Sequence, residues 1–243
     1  MKPTKLLTLF ILLLLASAIY FLIGGQEIRQ FFRNSKQSKI TQQTAHHQEE
    51  ITKNSQDKIE KEFQNGDIIF QISQSSQSKA IALATKSIYT HCGIIYEKDD
   101  NFFVYEAVQP VKLTPIRTWI KQGKDKHFVV KRLKNADKIL TREVLKNMKN
   151  YSKQFQDKNY DIYFSWSDDK IYCSELIWKI YKETTGLEIG KLQKLKDFDL
   201  TSPEVQQKMK ERYGNNIPLE ENVISPISMY ESDLLMTVKL DRR

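Results

Sequence analysis

His91, in Tyr-Thr-His-Cys-Gly-Ile-Ile, and Cys173, in Ile-Tyr-Cys-Ser-Glu-Leu-Ile, lie 82 positions apart and are residue types that together read as base and nucleophile. A thiol attacks a carbonyl carbon as thiolate, and its pKa falls beside an imidazolium or at the positive end of a helix. Leu176, Ile177, Ile180 and Tyr181 recur at helical spacing, which predicts a helix from Cys173 to Glu183 with Gly186 placed to end it. The unsatisfied N–H groups at such a helix start stabilise a thiolate and can cradle an oxyanion. Taken alone, Cys173 fits a buried core cysteine equally well, since free Cys is among the most buried residue types.

The His91–Tyr96 run has strand character, so His91 and Gly93 share one face while Cys92 and Ile94 share the other. With His91 in a cleft, Cys92 falls in the opposite layer as a small buried hydrophobe. Val104, Glu106 and Val108 share a face of the next apolar run. A carboxylate beside His91 would accept the imidazole N–H, fix the tautomer and support the imidazolium, and Glu106 is the candidate. Its alternative reading is an ordinary exposed strand residue. His127 is a rival base, but it lies between Lys126 and Phe128 with no motif around it, and a neighbouring lysine lowers a histidine's pKa.

These residues need elements to hold them. A turn at Asn65-Gly66-Asp67 leads into a strand over 68–72, and an Ala-rich helix is predicted over 78–86. The turn Asp99-Asp100-Asn101 joins the His91 strand to 102–108 as a hairpin, and 127–133 supplies another strand. Leu140, Val144, Met148, Tyr151 and Phe155 predict one amphipathic helix over 137–156 whose stripe is core. Ser202-Pro203-Glu204 opens a further helix ending near Gly214, and 234–240 reads as an edge strand.

Outside this domain, expected over 59–243, two segments stand apart. Leu6 to Ile23 is an eighteen-residue apolar run after Lys2 and Lys5. As a helix it would be about 27 Å long, near the thickness of a bilayer core. Residues 1–25 therefore read as an uncleaved transmembrane anchor, with a signal peptide cut near Ala18 as the alternative. Arg29, Arg33 and Lys36 oppose the N-terminal lysines, so charge does not settle orientation. Residues 26–58 are rich in Gln, Lys, Glu, Ser and Thr and read as a flexible polar linker. His46-His47 with Glu49 and Glu50 is a conceivable ligand set there, but nothing holds its geometry, and solvated histidines are the better reading. The chain carries a formal net charge of +8, yet its lysines are scattered and no zinc-finger or aromatic-basic signature appears, which argues against nucleic acid. Two cysteines give no disulfide framework.

Five blocks in order carry a family likeness: Asn-Gly-Asp67-Ile-Ile-Phe, Tyr-Thr-His91-Cys-Gly, Val-Tyr-Glu106-Ala-Val, Tyr160-Asp161-Ile-Tyr-Phe164 and Tyr172-Cys173-Ser174-Glu175-Leu176. Over residues 63–185 the chain resembles the circularly permuted, papain-fold NlpC-type cysteine hydrolases, in particular the YiiX-like branch. In non-permuted relatives the nucleophile helix precedes the histidine strand, whereas here His91 comes first. The resemblance implies an α+β fold, a small antiparallel sheet packed against helices. It also implies a triad of Cys173, His91 and Glu106, with Asp67, Tyr160 and Tyr172 lining or bracing the cleft. Joined to the anchor read from the apolar run, it implies an exported, membrane-tethered thiol hydrolase acting on cell-wall peptides. The alternatives are an amidase or acyltransferase acting on fatty-acyl lipids, and a papain-like cleft kept only for binding. No metal or organic cofactor is called for.

Overall fold

The computed structural model describes residues 33–34, 36–37, 41–44, 46–47 and 62–240. Chain contacts divide the protein into two units, residues 1–59 and 60–243. The expected membrane span at 6–23 lies outside the described residues. Among the described residues no helix is long and apolar enough to cross a membrane. Within the stretch expected as a flexible linker, the described positions, including His46 and His47, are helical and exposed. Gln, Lys and Glu are good helix formers, so a composition that forbids a packed core does not forbid a helix.

The second unit is built on a six-stranded sheet in which every neighbouring pair is antiparallel. Its strands are β1 (Ile68–Gln71), β2 (His91–Lys98), β3 (Asn101–Glu106), β4 (Lys112–Pro115), β5 (Phe128–Leu133) and β8 (Leu235–Leu240), in the order β4-β3-β2-β1-β5-β8. The register sets Phe70 opposite Cys92 and Gln71 opposite His91, so β1 and β2 end together at the histidine. The last strand lies on the sheet edge, as its sequence predicts.

Helices cover the sheet because their apolar stripes need a partner. The helix α5 (Cys173–Thr185) buries Leu176, Ile177, Ile180 and Tyr181 in one core with Ile68, Phe70, Cys92, Ile94 and Tyr96. It ends at Gly186, whose φ of 74° is left-handed backbone that glycine takes without strain. The single helix expected over 137–156 is instead broken into α3 (Ala136–Ile139), α4 (Arg142–Ser152) and a 3₁₀ turn over Lys153–Phe155. Thr141 causes the break by capping α4, its side chain accepting from the Val144 N–H. The apolar stripe is still core, with Met148 and Phe155 fully buried.

The remaining helices are α1 (Ser78–Thr85), α2 (Ile116–Gln122), α6 (Pro203–Tyr213) and α7 (Pro226–Tyr230). Ser202 caps α6 by accepting from the Val205 N–H. A two-stranded ladder of β6 (Gln193–Lys194) and β7 (Asn222–Val223) ties the chain before α6 to the chain after it.

Candidate active site

Cys173 is the first residue of α5, and both its neighbours are pinned to one residue of a facing loop. The Tyr172 hydroxyl accepts from the Ile224 N–H at 3.1 Å, and the Ser174 hydroxyl donates to the Ile224 carbonyl at 2.7 Å. The Tyr172 N–H donates to Glu175 Oε2 at 3.3 Å, closing the first turn from the helix side. These bonds fix the helix start, whose unsatisfied N–H groups give it positive character.

His91 opens β2 at the sheet end where this helix start arrives. Its Nε2 lies 2.6 Å from Glu106 Oε2, leaving Nδ1 as the ring nitrogen not engaged by the carboxylate. Glu106 is held before it meets the ring: Trp119 Nε1 donates to Oε2 at 2.8 Å and the Thr114 hydroxyl donates to Oε1 at 2.5 Å. The His91 ring also stacks on Trp119, with centroids 5.9 Å apart. Glu106 is thus a buried hydrogen-bond partner of His91 and not an exposed strand residue. Thr114 and Trp119 were not legible in advance, because β4 and α2 fall in a stretch without clear periodicity.

The charges follow from this packing. Burial pulls the His91 pKa down, but Cys173 and then Glu106 outweigh it and raise it to about 10. Cys173 is lowered well below the ordinary thiol value: hydrogen bonding from Cys92 is the largest cause, burial opposes it, and His91 adds to the lowering. Glu106 is also lowered; burial alone would raise it, and the bonds from His91, Thr114 and Trp119 overcome that. Both shifts run toward a thiolate–imidazolium pair. Cys92 is pushed up, first by burial and then by Cys173, so it stays a neutral donor.

Cys92 departs from expectation in one respect. It is a buried free thiol, but the layer it enters is the one α5 packs against, so it borders Cys173. Strand alternation separates Cys92 from His91, not from the helix that carries Cys173.

Tyr160 and Tyr172 both line the space around Cys173. Gln77 donates to the Tyr160 hydroxyl at 3.1 Å and accepts from Arg212 Nη2 at 2.6 Å, and Arg212 stacks over Phe164. Gln77 and Arg212 carried no sequence signal, since the first precedes α1 and the second lies on a charged helix. Asp67, expected at the cleft, is elsewhere. It lies four positions before Gln71, about 13 Å along the strand. There it accepts from Arg132 Nε at 2.7 Å, Arg132 Nη2 at 2.8 Å and the Gln64 N–H at 2.9 Å. A carboxylate this buried needs such partners, which makes it a brace for the turn and not a lining group. His127 stacks on Tyr89 and lines neither cavity beside the site.

Those two cavities differ in character. One, of about 710 Å³ including its open mouth, has Cys173 in its wall and is otherwise mostly apolar. The other contains His91 and Glu106 and is lined by glutamine and hydroxyl side chains together with Ala107, Val108 and Ile162. Gln77, Thr90 and Tyr160 border both.

Over residues 62–239 the sequence matches the family described as permuted papain-like amidase enzymes, YaeF/YiiX, C92. The chain belongs to this permuted papain-like amidase family. Among its relatives, the uncharacterized protein YiiX of Escherichia coli K12 is 50% identical over 175 residues, covering 72% of this chain and 85% of that protein. A crystal structure described as metalloprotein YiiX from Escherichia coli O157:H7 matches with a TM-score of 0.71 at 48% identity, covering 74% of this chain and 98% of that one. Among the described residues of this permuted papain-like amidase, no three His, Cys, Asp or Glu side chains come together as metal ligands. Family membership carries a cysteine-hydrolase type of function, as the YiiX-like resemblance implied.

Proposed function

We propose that the protein is a membrane-tethered thiol amidase in which Cys173 is the nucleophile, His91 the general base and acid, and Glu106 the orienter. The observation that supports this best is the buried His91–Glu106 contact of 2.6 Å, braced by Thr114 and Trp119, beside a cysteine at a helix start. The Cys173 thiolate attacks the amide carbon, and its new oxyanion is met by the N–H groups of the first turn of α5. His91 gives its proton to the leaving nitrogen as the C–N bond breaks, leaving a thioester on Cys173. Water then loses a proton to His91 and attacks the thioester, releasing the carboxylic acid and restoring the thiolate–imidazolium pair.

Cell-wall stem peptides are the substrate suggested by the NlpC-type resemblance. The mostly apolar cavity beside Cys173 favours the second reading, an acyl amide. A binding-only cleft has less in its favour, because both cysteines are free and Cys92 and His91 draw the Cys173 pKa down.

Rate of iodoacetamide alkylation against pH tests the reading. Wild type should label rapidly and only at Cys173 well below the ordinary thiol pKa. Cys92→Ala and His91→Ala should each still label at Cys173 but with the profile moved upward, since each removes one of the two groups that lower this thiol. Slow or Cys92-centred labelling of the wild type would overturn the assignment.

A further inference from the structure

The hydrolytic steps leave Cys92 unused, although its thiol is hydrogen-bonded to the Cys173 sulfur. Cys92 and Cys173 are the two cysteines of the whole chain, and both lie in the core formed where α5 packs on β2. Their access differs. Cys173 stands in the wall of a cavity with an open mouth, whereas Cys92 is fully buried and lines neither cavity. Phe70 lies directly across from Cys92 in the sheet, itself fully buried. A small reagent in solution therefore meets Cys173 first and reaches Cys92 only through it.

We propose that Cys92 and Cys173 form a modification site for hydroperoxides, in which Cys173 is oxidised and Cys92 resolves the product as a disulfide. This rests on the reading of Cys173 as an activated thiol and adds reversible oxidation to it. The Cys173 thiolate attacks one oxygen of hydrogen peroxide, and the S–O bond forms as the O–O bond breaks. His91 gives its proton to the departing oxygen, so the peroxide is reduced to water and Cys173 is oxidised to the sulfenic acid. The Cys92 sulfur then attacks the Cys173 sulfur, the S–S bond forming as the S–O bond breaks. The Cys92 proton leaves with that oxygen as a second water. A sulfenic acid left with more peroxide goes on to the sulfinic acid, which ordinary thiols do not restore. Cys92 is already in contact with the reacting sulfur, so it outruns both that step and any thiol that must enter from solvent. The disulfide removes the nucleophile and the hydrogen bond that supports it, and a reducing thiol returns both by exchange.

The test is oxidation of the purified full-length chain by excess hydrogen peroxide, read by iodoacetamide labelling of Cys173 and by peptide mass mapping. Wild type should lose its labelling and yield a Cys92–Cys173 linked peptide, about 2 Da lighter than its two parts because two hydrogens have left. Dithiothreitol should then restore at least nine-tenths of the labelling, even after exposure carried well past its loss. Cys92→Ser, given the same prolonged exposure, should gain about 32 Da at Cys173 for two oxygens and regain less than a tenth. The wild-type mapping needs no variant, so it decides the matter even where Cys92→Ser does not fold. Wild type that gains oxygen at Cys173 without a linked peptide, or a Cys92→Ser protein that recovers as fully as wild type, would overturn the pair. With rapid labelling of the untreated protein intact, either result would leave the amidase reading standing. Slow labelling of the untreated protein, together with a Cys173 that peroxide leaves unchanged, would overturn both.

Discussion

Glu106 shows how much of a site's precision is set by residues that touch no substrate. Its two oxygens take three hydrogen bonds, from His91, Trp119 and Thr114, so the carboxylate cannot turn to satisfy another partner. Gly93 provides the space: a Cβ there would collide with Val104 Cγ1 and lie 3.4 Å from Glu106 Cβ. Strand alternation only marks Glu106 as a carboxylate among apolar neighbours, and the family resemblance is what joins it to His91, whereas the two donors behind it were hidden in segments with no period. Glu106→Gln retains the shape but replaces a charged acceptor with a neutral amide, which lowers the His91 pKa and weakens the thiolate. Cys173 acylation should fall by roughly 10²-fold at pH 7, with the alkaline limb moving down from its position near 10. Gly93→Ala should reproduce part of that loss without touching a charge. A Glu106→Gln protein with an unshifted pH profile would remove the carboxylate from the assignment.

At the scale of elements, α5 carries both chemistry and an electrostatic cost. Glu175 is fully buried in its first turn, bonded to the Tyr172 N–H and 2.8 Å from Lys179. Burial raises its carboxyl to about 8 from an ordinary 4.5, with Lys179 only partly offsetting the effect. A folded-state pKa above the unfolded one means the folded protein holds this proton more tightly. The stability from that proton is complete below about 4.5 and is lost as pH rises through 8. Glu175→Gln, neutral throughout, should therefore melt close to wild type at pH 4.5 and ~2–4 °C higher at pH 8.5, a shift worth about 1 kcal/mol in a domain of this size. Parallel melting curves across that range would show that Lys179 keeps the carboxylate ionised. The start and end of α5 were readable from its apolar spacing and Gly186, as were the limits of α6 from Ser202, Pro203 and Gly214. The 137–156 segment was misread as one helix because periodicity reports a buried stripe, and Thr141 interrupts the backbone without interrupting the stripe. The ladder of β6 and β7 has two residues on each side, too short for any period, yet it frames the loop whose Ile224 pins the helix start.

At the scale of the whole molecule, the proposed acyl-amide reading bears on where the substrate is met. A long apolar acyl chain is concentrated at a bilayer, and the eighteen-residue apolar run at 6–23 is long enough to keep an enzyme there. An anchored domain samples a surface and not a volume, so its effective substrate concentration rises without any new contact. If the anchor is retained, the full chain should remain in the membrane fraction through a high-pH carbonate wash, and deletion of residues 1–25 should release it. The deleted form should acylate Cys173 with soluble p-nitrophenyl esters at the rate of the full chain, because these need no bilayer. On acyl amides presented in vesicles it should be at least tenfold slower. Recovery of a soluble protein whose first residue is Ile19 would replace tethering with secretion after cleavage at Ala18, and equal rates on vesicles for both forms would separate the anchor from substrate capture.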